Sequence, residues 1–110
     1  MVAPQQGQII RANLNPKKGH EQQGYRPMIV LSNNIVSQYS GVVLVAPISS
    51  TKRKLPLYVD LPEGLQTKGT VLLDQLVTID YIAREAVVIE QVPDDYLDVL
   101  LDIARRILTR

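Results

Sequence analysis

Short apolar runs separated by glycine, proline and asparagine make up most of the chain, and one helical pattern closes it. After Gly7 the run QIIRANL predicts a first strand, which Asn15-Pro16 ends, since that dipeptide favours a turn. Pro27 to Leu31 predicts a second strand. Ser32, Asn33 and Asn34 then offer capping side chains for a short helical turn or loop through Tyr39. Gly41 opens VVLVAPI, the most strongly β-branched run, and a continuous apolar run of this kind argues for a central strand buried on both faces. Pro47 implies that the ladder stops or bulges there, releasing Ile48-Ser49-Ser50-Thr51 as a hydroxyl-rich turn. Leu57 to Leu61 alternates apolar and polar residues and predicts a half-exposed strand, with Pro62-Glu63-Gly64 as the turn after it.

Thr70 to Leu73 predicts a further buried strand with Asp74 and Gln75 at its end, and Val77-Thr78-Ile79 continues it or forms a bulged neighbour. Asp80 is placed to cap a short helix through Ala83 or Arg84, and Ala86 to Ile89 predicts the last strand. From Pro93 the pattern turns helical. Proline suits a first turn, Asp94 and Asp95 suit the positive end of a helix, and Arg105, Arg106 and Arg110 suit its negative end. Leu97, Leu100, Leu101, Ala104, Ile107 and Leu108 share one face, which Val99 and Ile103 widen beyond what covering one sheet requires. Either this helix lies deep in the core or it also joins a subunit interface. The sum is a mainly β fold with α: a small, strongly bent β-sheet or half-open barrel with helices on it, in one domain over residues 1–110.

Composition narrows the chemistry. A chain of 110 residues suits one domain with a real core. Its 45% hydrophobic and 21% charged residues are those of a soluble protein, and no apolar run approaches the roughly 20 residues of a membrane span. The first residues carry no secretory signal pattern, so the expected location is the cytoplasm. There is no cysteine, and the single histidine, His20, cannot make a multi-histidine zinc site. No cofactor is expected, and any catalysis falls to arginine, carboxylates, hydroxyls and His20, with an oxygen-bound cation as the one metal the composition leaves open. The charge of +1 hides an asymmetry: up to Pro56 seven basic residues face Glu21 alone, whereas from Leu57 onward five basic residues face ten acids. A basic first half attracts polyanions, unless the two halves pair on a mixed surface.

The stretch GHEQQGYRPMIVLS, residues 19–32, runs from a glycine-bracketed polar loop into an apolar strand, with Arg26 at the junction. Pro27 biases Arg26 toward extended backbone, and a guanidinium on such a stem is a good anion clamp. Ser49 and Ser50 after the third strand and Asp74 after the Thr70 strand also emerge from apolar runs. If these strands are neighbours, the cluster can grip a phosphate with Arg26, hydrogen-bond it through serine and set a carboxylate beside a ribose 2′-hydroxyl. That arrangement cuts RNA without a metal, because the 2′-oxygen attacks the adjacent phosphorus while the protein moves protons and stabilises charge. DNA lacks the nucleophile. Equally, Asp74 can satisfy backbone groups and Ser49 can cap a turn.

The motif GHEQQGYRPMIVLS closely resembles the Gly-x-Glu-Gln-x-Gly-x-Arg-Pro signature of the MazF/Kid/PemK toxins, the GHEQQG portion being similar to the Kid branch. Asn15-Pro16 with Lys18-Gly19 resembles the family's lead into that loop. VAPISS is similar to its strand ending in a hydroxyl turn, and GTVLLDQLVTID to its Asp-Gln-x-Arg-Thr-Ile-Asp region. The resemblance implies an SH3-like half-open barrel of the CcdB/Kid/MazF superfamily. It also implies the toxin of a type II toxin–antitoxin pair: a ribosome-independent, sequence-specific endoribonuclease acting on single-stranded RNA as a homodimer. A cognate antitoxin with an acidic, disordered segment would silence it. By position, Arg26, Ser49 and Asp74 take the catalytic roles. His20, Glu21, Ser50 and Gln75 fall where the family contacts RNA or orders its site, and Thr51, Lys52 and Arg53 lie on a loop that the resemblance brings to the same face. Two positions depart from the pattern: Leu72 stands where Kid-like members have a second catalytic arginine, and Val77 where Asp-Gln-x-Arg has its own. With fewer cations, His20 is a candidate substitute proton donor, since histidine titrates at about 6.5, its other reading being a binding or bystander residue of the loop. The alternatives are a CcdB-like gyrase poison and a catalytically impaired RNA-binding member. Against the first, the chain ends Ile107-Leu108-Thr109-Arg110 without an aromatic tip.

Overall fold

Residues 2–14, 24–51 and 54–110 are described by a computed structural model. His20, Glu21, Lys52 and Arg53 lie outside the described residues, as do Lys17 and Lys18. Seven strands form an antiparallel sheet: β1 (Gln8–Asn13), β2 (Tyr25–Val30), β3 (Val43–Ser49), β4 (Tyr58–Asp60), β5 (Thr70–Leu72), β6 (Val77–Ile79) and β7 (Val87–Gln91). Helix α1 (Asn34–Ser40) joins β2 to β3, a 3₁₀ turn (Leu73–Gln75) joins β5 to β6, and α2 (Asp94–Ile107) follows β7. The strands run in the spatial order β4-β5-β3-β2-β1-β7, with β6 also paired to β3.

Strand β3 holds the sheet together. One edge pairs with β2, from Val30 opposite Val45 to Met28 opposite Pro47. The other pairs first with β6, from Val43 opposite Ile79 to Val45 opposite Val77, and then with β5, where Ile48 meets Val71 and Ser49 meets Thr70. Between those two partners β3 passes the 3₁₀ turn, and Pro47 sits there. The strand therefore does not end at the proline as expected from sequence. The ladder is interrupted on one edge only, where the missing N–H has no strand to serve, and Ile48 and Ser49 remain strand residues rather than a released turn.

Alternation along the strands builds a core on each side of the sheet. Ile9, Ile29, Ala46, Ile48 and Val71 face α2 and pack with its buried Leu97 and Leu100. Ile10, Met28, Val30, Val43 and Val45 face the other way and pack with Ile79, Tyr81 and Ala86. The expectation of a centre buried on both faces is met by Val43, Val45, Ala46 and Ile48, each at most 5% exposed.

Local signals account for the remaining boundaries. Asn33 caps α1, its Oδ1 accepting from Ile35 N at 3.1 Å, and Gly41 ends it in the left-handed region with φ of 69°. Asp80 caps a turn rather than the expected helix. Its Oδ1 accepts from Ile82 N and Ala83 N at 3.1 and 3.0 Å, and the chain reverses at Glu85, whose φ is 54°. Strand β2 begins at Tyr25, so Arg26 is a strand residue opposite Ala12 and not a junction residue. In α2 the apolar face is mostly consumed inside the chain. Leu97 is buried and Leu101 and Ile103 pack on the core, so of the surface expected to meet a second subunit only Leu108, with Ile107 before it, is exposed.

The sheet curls until its two ends meet through side chains. Glu90 on β7, at one end, accepts from Gln66 N at 2.9 Å and Thr67 N at 2.8 Å in the loop between β4 and β5, at the other end. Tyr96 of α2 donates to Val59 O of β4 at 3.3 Å, and burial, helped by nearby Asp60, pushes its phenol well above the ordinary tyrosine range. The Glu90 carboxyl is held below its ordinary value. Desolvation acts to raise it but is outweighed by the Gln66 and Thr67 hydrogen bonds and by the Lys68 charge. Because the folded value is depressed, this stabilisation is present above the ordinary carboxylate range and is lost as pH falls through the folded value. Glu90→Gln is expected to cost about 1 kcal/mol at neutral pH. In denaturant titrations across pH its deficit relative to wild type should shrink on acidification; a deficit that stays constant would contradict the clamp.

Candidate active site

The register of the sheet decides which polar side chains meet. On β2, Arg26 alternates with Met28 and Val30, and on β3, Ser49 alternates with Val45 and Val43, so both project from the face opposite α2. Met28 pairs with Pro47. One alternate step further along the same register sets Arg26 opposite Ser49. Ser49 in turn pairs with Thr70, and Thr70 with Asp60. Ser49, Thr70 and Asp60 thus form one row across three strands, with Arg26 at its β2 end on the continued register. Next to that row on the same face, Met28 pairs with Pro47 and Leu72 with Tyr58.

Each polar group is held in place. Ser49 Oγ accepts from Thr51 N at 3.1 Å, a local hydroxyl turn that leaves the serine proton to donate elsewhere. Thr70 is fully buried and donates to Asp60 Oδ1 at 2.8 Å, so its hydroxyl is satisfied within the row. Arg26 and Ser49 are both half-buried, with access to solvent and a rigid backing. Gly69, at φ of 137°, lies so close that a Cβ there would strike the Ser49 carbonyl oxygen, with Ile48 Cγ2 at 3.1 Å. Only glycine lets β5 approach β3 at this point.

Asp74 reaches the cluster from the side. It lies on the exposed 3₁₀ turn after β5 and its Oδ2 accepts from the Tyr58 hydroxyl at 3.3 Å, so it joins the second row through Tyr58 rather than standing beside Arg26 in the first. Ser50, Thr51 and Gln75 are exposed at the rim, and Lys54 is exposed on the loop before β4. Leu72 is only 8% exposed and lies within the cluster's floor, whereas Val77 is half-exposed on β6 opposite Val45. Sequence reasoning missed Tyr58, Asp60 and Thr70. The signal was the alternation over Leu57 to Leu61, which puts Tyr58 and Asp60 on one face. Among the described residues, no three carboxylate, histidine or cysteine side chains gather as a metal-binding group.

A guanidinium facing a hydroxyl, with a carboxylate on the rim, suits a phosphodiester whose neighbouring hydroxyl must lose a proton. Comparison with known proteins agrees with that chemistry. The family model described as PemK-like, MazF-like toxin of type II toxin-antitoxin system matches residues 5–108. A relative named endoribonuclease MazF, from Staphylococcus saprophyticus, is 34% identical over 79 residues, which cover 67% of this chain and 66% of that one. The matched part thus spans about two thirds of that relative's length. The crystal structure of MazF from Deinococcus radiodurans superposes with a TM-score of 0.86 at 30% identity, covering 98% of both chains. A MazE-MazF crystal structure from the same organism gives 0.85 at 26% identity, covering 98% of this chain and 97% of that one.

The tight approach at Gly69 yields a direct test. Gly69→Ala adds a collision with β3 to the strain of positive φ and should cost about 2 kcal/mol or more. Gly64→Ala, at φ of 94° but facing open space, should cost about half as much. Equal melting temperatures for the two variants would show that β5 does not depend on this contact.

Proposed function

The chain belongs to the PemK-like, MazF-like toxins of type II toxin–antitoxin systems, and from that premise we propose that it is a sequence-specific endoribonuclease that cuts single-stranded RNA without ribosome or metal. What supports this reading is the β2–β3 register: continued one alternate step beyond Met28 opposite Pro47, it brings Arg26 toward the half-buried Ser49 on the face opposite α2. Arg26 binds the non-bridging oxygens of the scissile phosphate through parallel N–H donors, and the Ser49 hydroxyl donates to the same group. Asp74 accepts the proton of the ribose 2′-hydroxyl. The 2′-oxygen then bonds to phosphorus as the bond to the 5′-oxygen breaks, giving a 2′,3′-cyclic phosphate and, after protonation of the leaving oxygen, a 5′-hydroxyl. We assign that last proton to His20. Glu21, Ser50, Thr51, Lys52, Arg53 and Gln75 are assigned to binding the flanking nucleotides. Cleavage of messenger RNA inhibits translation and growth, and the site of action is the cytoplasm; among the described residues no helix is long and apolar enough to cross a membrane. The gyrase-poison alternative is not favoured, since the relative from Staphylococcus saprophyticus is named an endoribonuclease.

The partner is a cognate antitoxin whose acidic, initially disordered segment occupies the same groove as RNA, mimicking phosphate charge. The MazE-MazF structure supports a partner of this kind. One digest tests enzyme and inhibitor together. Purified protein and a mixed-sequence oligoribonucleotide should give cyclic-phosphate and 5′-hydroxyl ends with or without EDTA, and adding the antitoxin's acidic peptide should stop cleavage. Arg26→Ala and Ser49→Ala should each slow it by a factor of about 10² or more. Loss of activity in EDTA, or cutting after a 2′-deoxy nucleotide, would reject the mechanism. Cleavage that persists with saturating peptide bound would reject the shared groove.

A second copy of this chain is the other proposed partner, through the exposed Ile107 and Leu108 at the end of α2. Light scattering at micromolar concentration should give twice the 12.3 kDa chain mass, and Leu108→Asp should shift it toward the monomer. A monomeric mass for the unmodified chain would exclude the dimer.

A further inference from the structure

Asp74 sits on a single exposed 3₁₀ turn, a poor platform for a group that must meet a particular hydroxyl. Two contacts from the start of β4 fasten that turn. Leu73 N donates to Leu57 O at 3.0 Å, and Leu73 itself is fully buried. One residue on, the Tyr58 hydroxyl donates to Asp74 Oδ2 at 3.3 Å. Tyr58 is well anchored: its N–H donates to Leu55 O at 3.0 Å, and it lies directly across from Leu72, whose side chain is almost fully buried. Its position two residues from Asp60 also gives it the same face as the row of Arg26, Ser49 and Thr70. The hydrogen bond engages one carboxylate oxygen, and Oδ1 has no partner among the described residues.

We infer that Tyr58 is a positioning residue for the reaction, its hydroxyl turning the Asp74 carboxylate over the face that carries Arg26 and Ser49 so that Oδ1 meets the 2′-hydroxyl. This rests on the assignment of Asp74 as base. The tyrosine does not exchange a proton with the RNA; it restricts the carboxylate to one orientation.

Tyr58→Phe removes the hydroxyl and keeps the ring, so any stacking of the ring on a base survives. The test measures kcat and KM on an oligoribonucleotide for wild type, Tyr58→Phe, Asp74→Asn and the double variant, with melting temperatures alongside. The expected result for Tyr58→Phe is a kcat about tenfold lower, the scale of one lost hydrogen bond, with KM nearly unchanged. Asp74→Asn should lose far more, and adding Tyr58→Phe to it should lose nothing further. Tyr58→Phe with wild-type kcat, beside an impaired Asp74→Asn, overturns the positioning role alone. A rise in KM without a change in kcat, or a further loss in the double variant, also overturns it, because Tyr58 then acts on RNA independently of Asp74. Full activity of Asp74→Asn rejects the base assignment and this inference with it.

Discussion

Strand β3 must satisfy three neighbours and two cores at once, and the rest of the structure depends on that constraint. Its β-branched residues fill both sides of the sheet, while its backbone serves β2 on one edge and β6 then β5 on the other. Such a strand has no freedom to slip, because a shift by one residue would send every core side chain to the wrong face. The fixed register is inherited by its last residue. Ser49 is aimed by the packing of Val43, Val45 and Ile48, and the position facing it on β2 is Arg26.

The face opposite α2 therefore changes character along its length. At one end Tyr81, Ala86 and Ile79 cover it with apolar side chains, and at the other the same alternation presents Arg26, Ser49, Thr70 and Asp60. A cation in such a place is costly unless water or an anion reaches it, which is why the row stays partly open and why Thr70, fully buried, is bonded to Asp60. Leu72, almost fully buried, makes the floor of this region apolar.

Much of this was legible in the residues themselves. The apolar run after Gly41, the alternation after Pro56 and the spacing after Pro93 each mark an element the structure contains, because each reports a periodicity that burial imposes. Pro47 misled because proline reports only a missing N–H, not which edge of the strand lacks a partner. Asp80 misled because an acceptor side chain caps turns and helices alike, and the left-handed Glu85 that decides between them has no signature of its own. Tyr58, Asp60 and Thr70 stayed hidden for a different reason: their meeting with Ser49 and Asp74 is a matter of cross-strand register, which no local window contains. The width of the last helix's apolar face was visible, but only the curl of the sheet shows how much of it the chain itself consumes.

The pairing of Gln8 with Gln91 carries a consequence for the order of events at the ribosome. The first strand lacks its second neighbour until the seventh has emerged, and the core beneath both stays open until α2 arrives. Strands β1, β2 and β3 can associate earlier as a local meander, bringing Arg26 and Ser49 together while the sheet is still flat and its edges unjoined. Contacts so distant in sequence form late, so the curled surface is complete only once β7 and α2 have both left the exit tunnel.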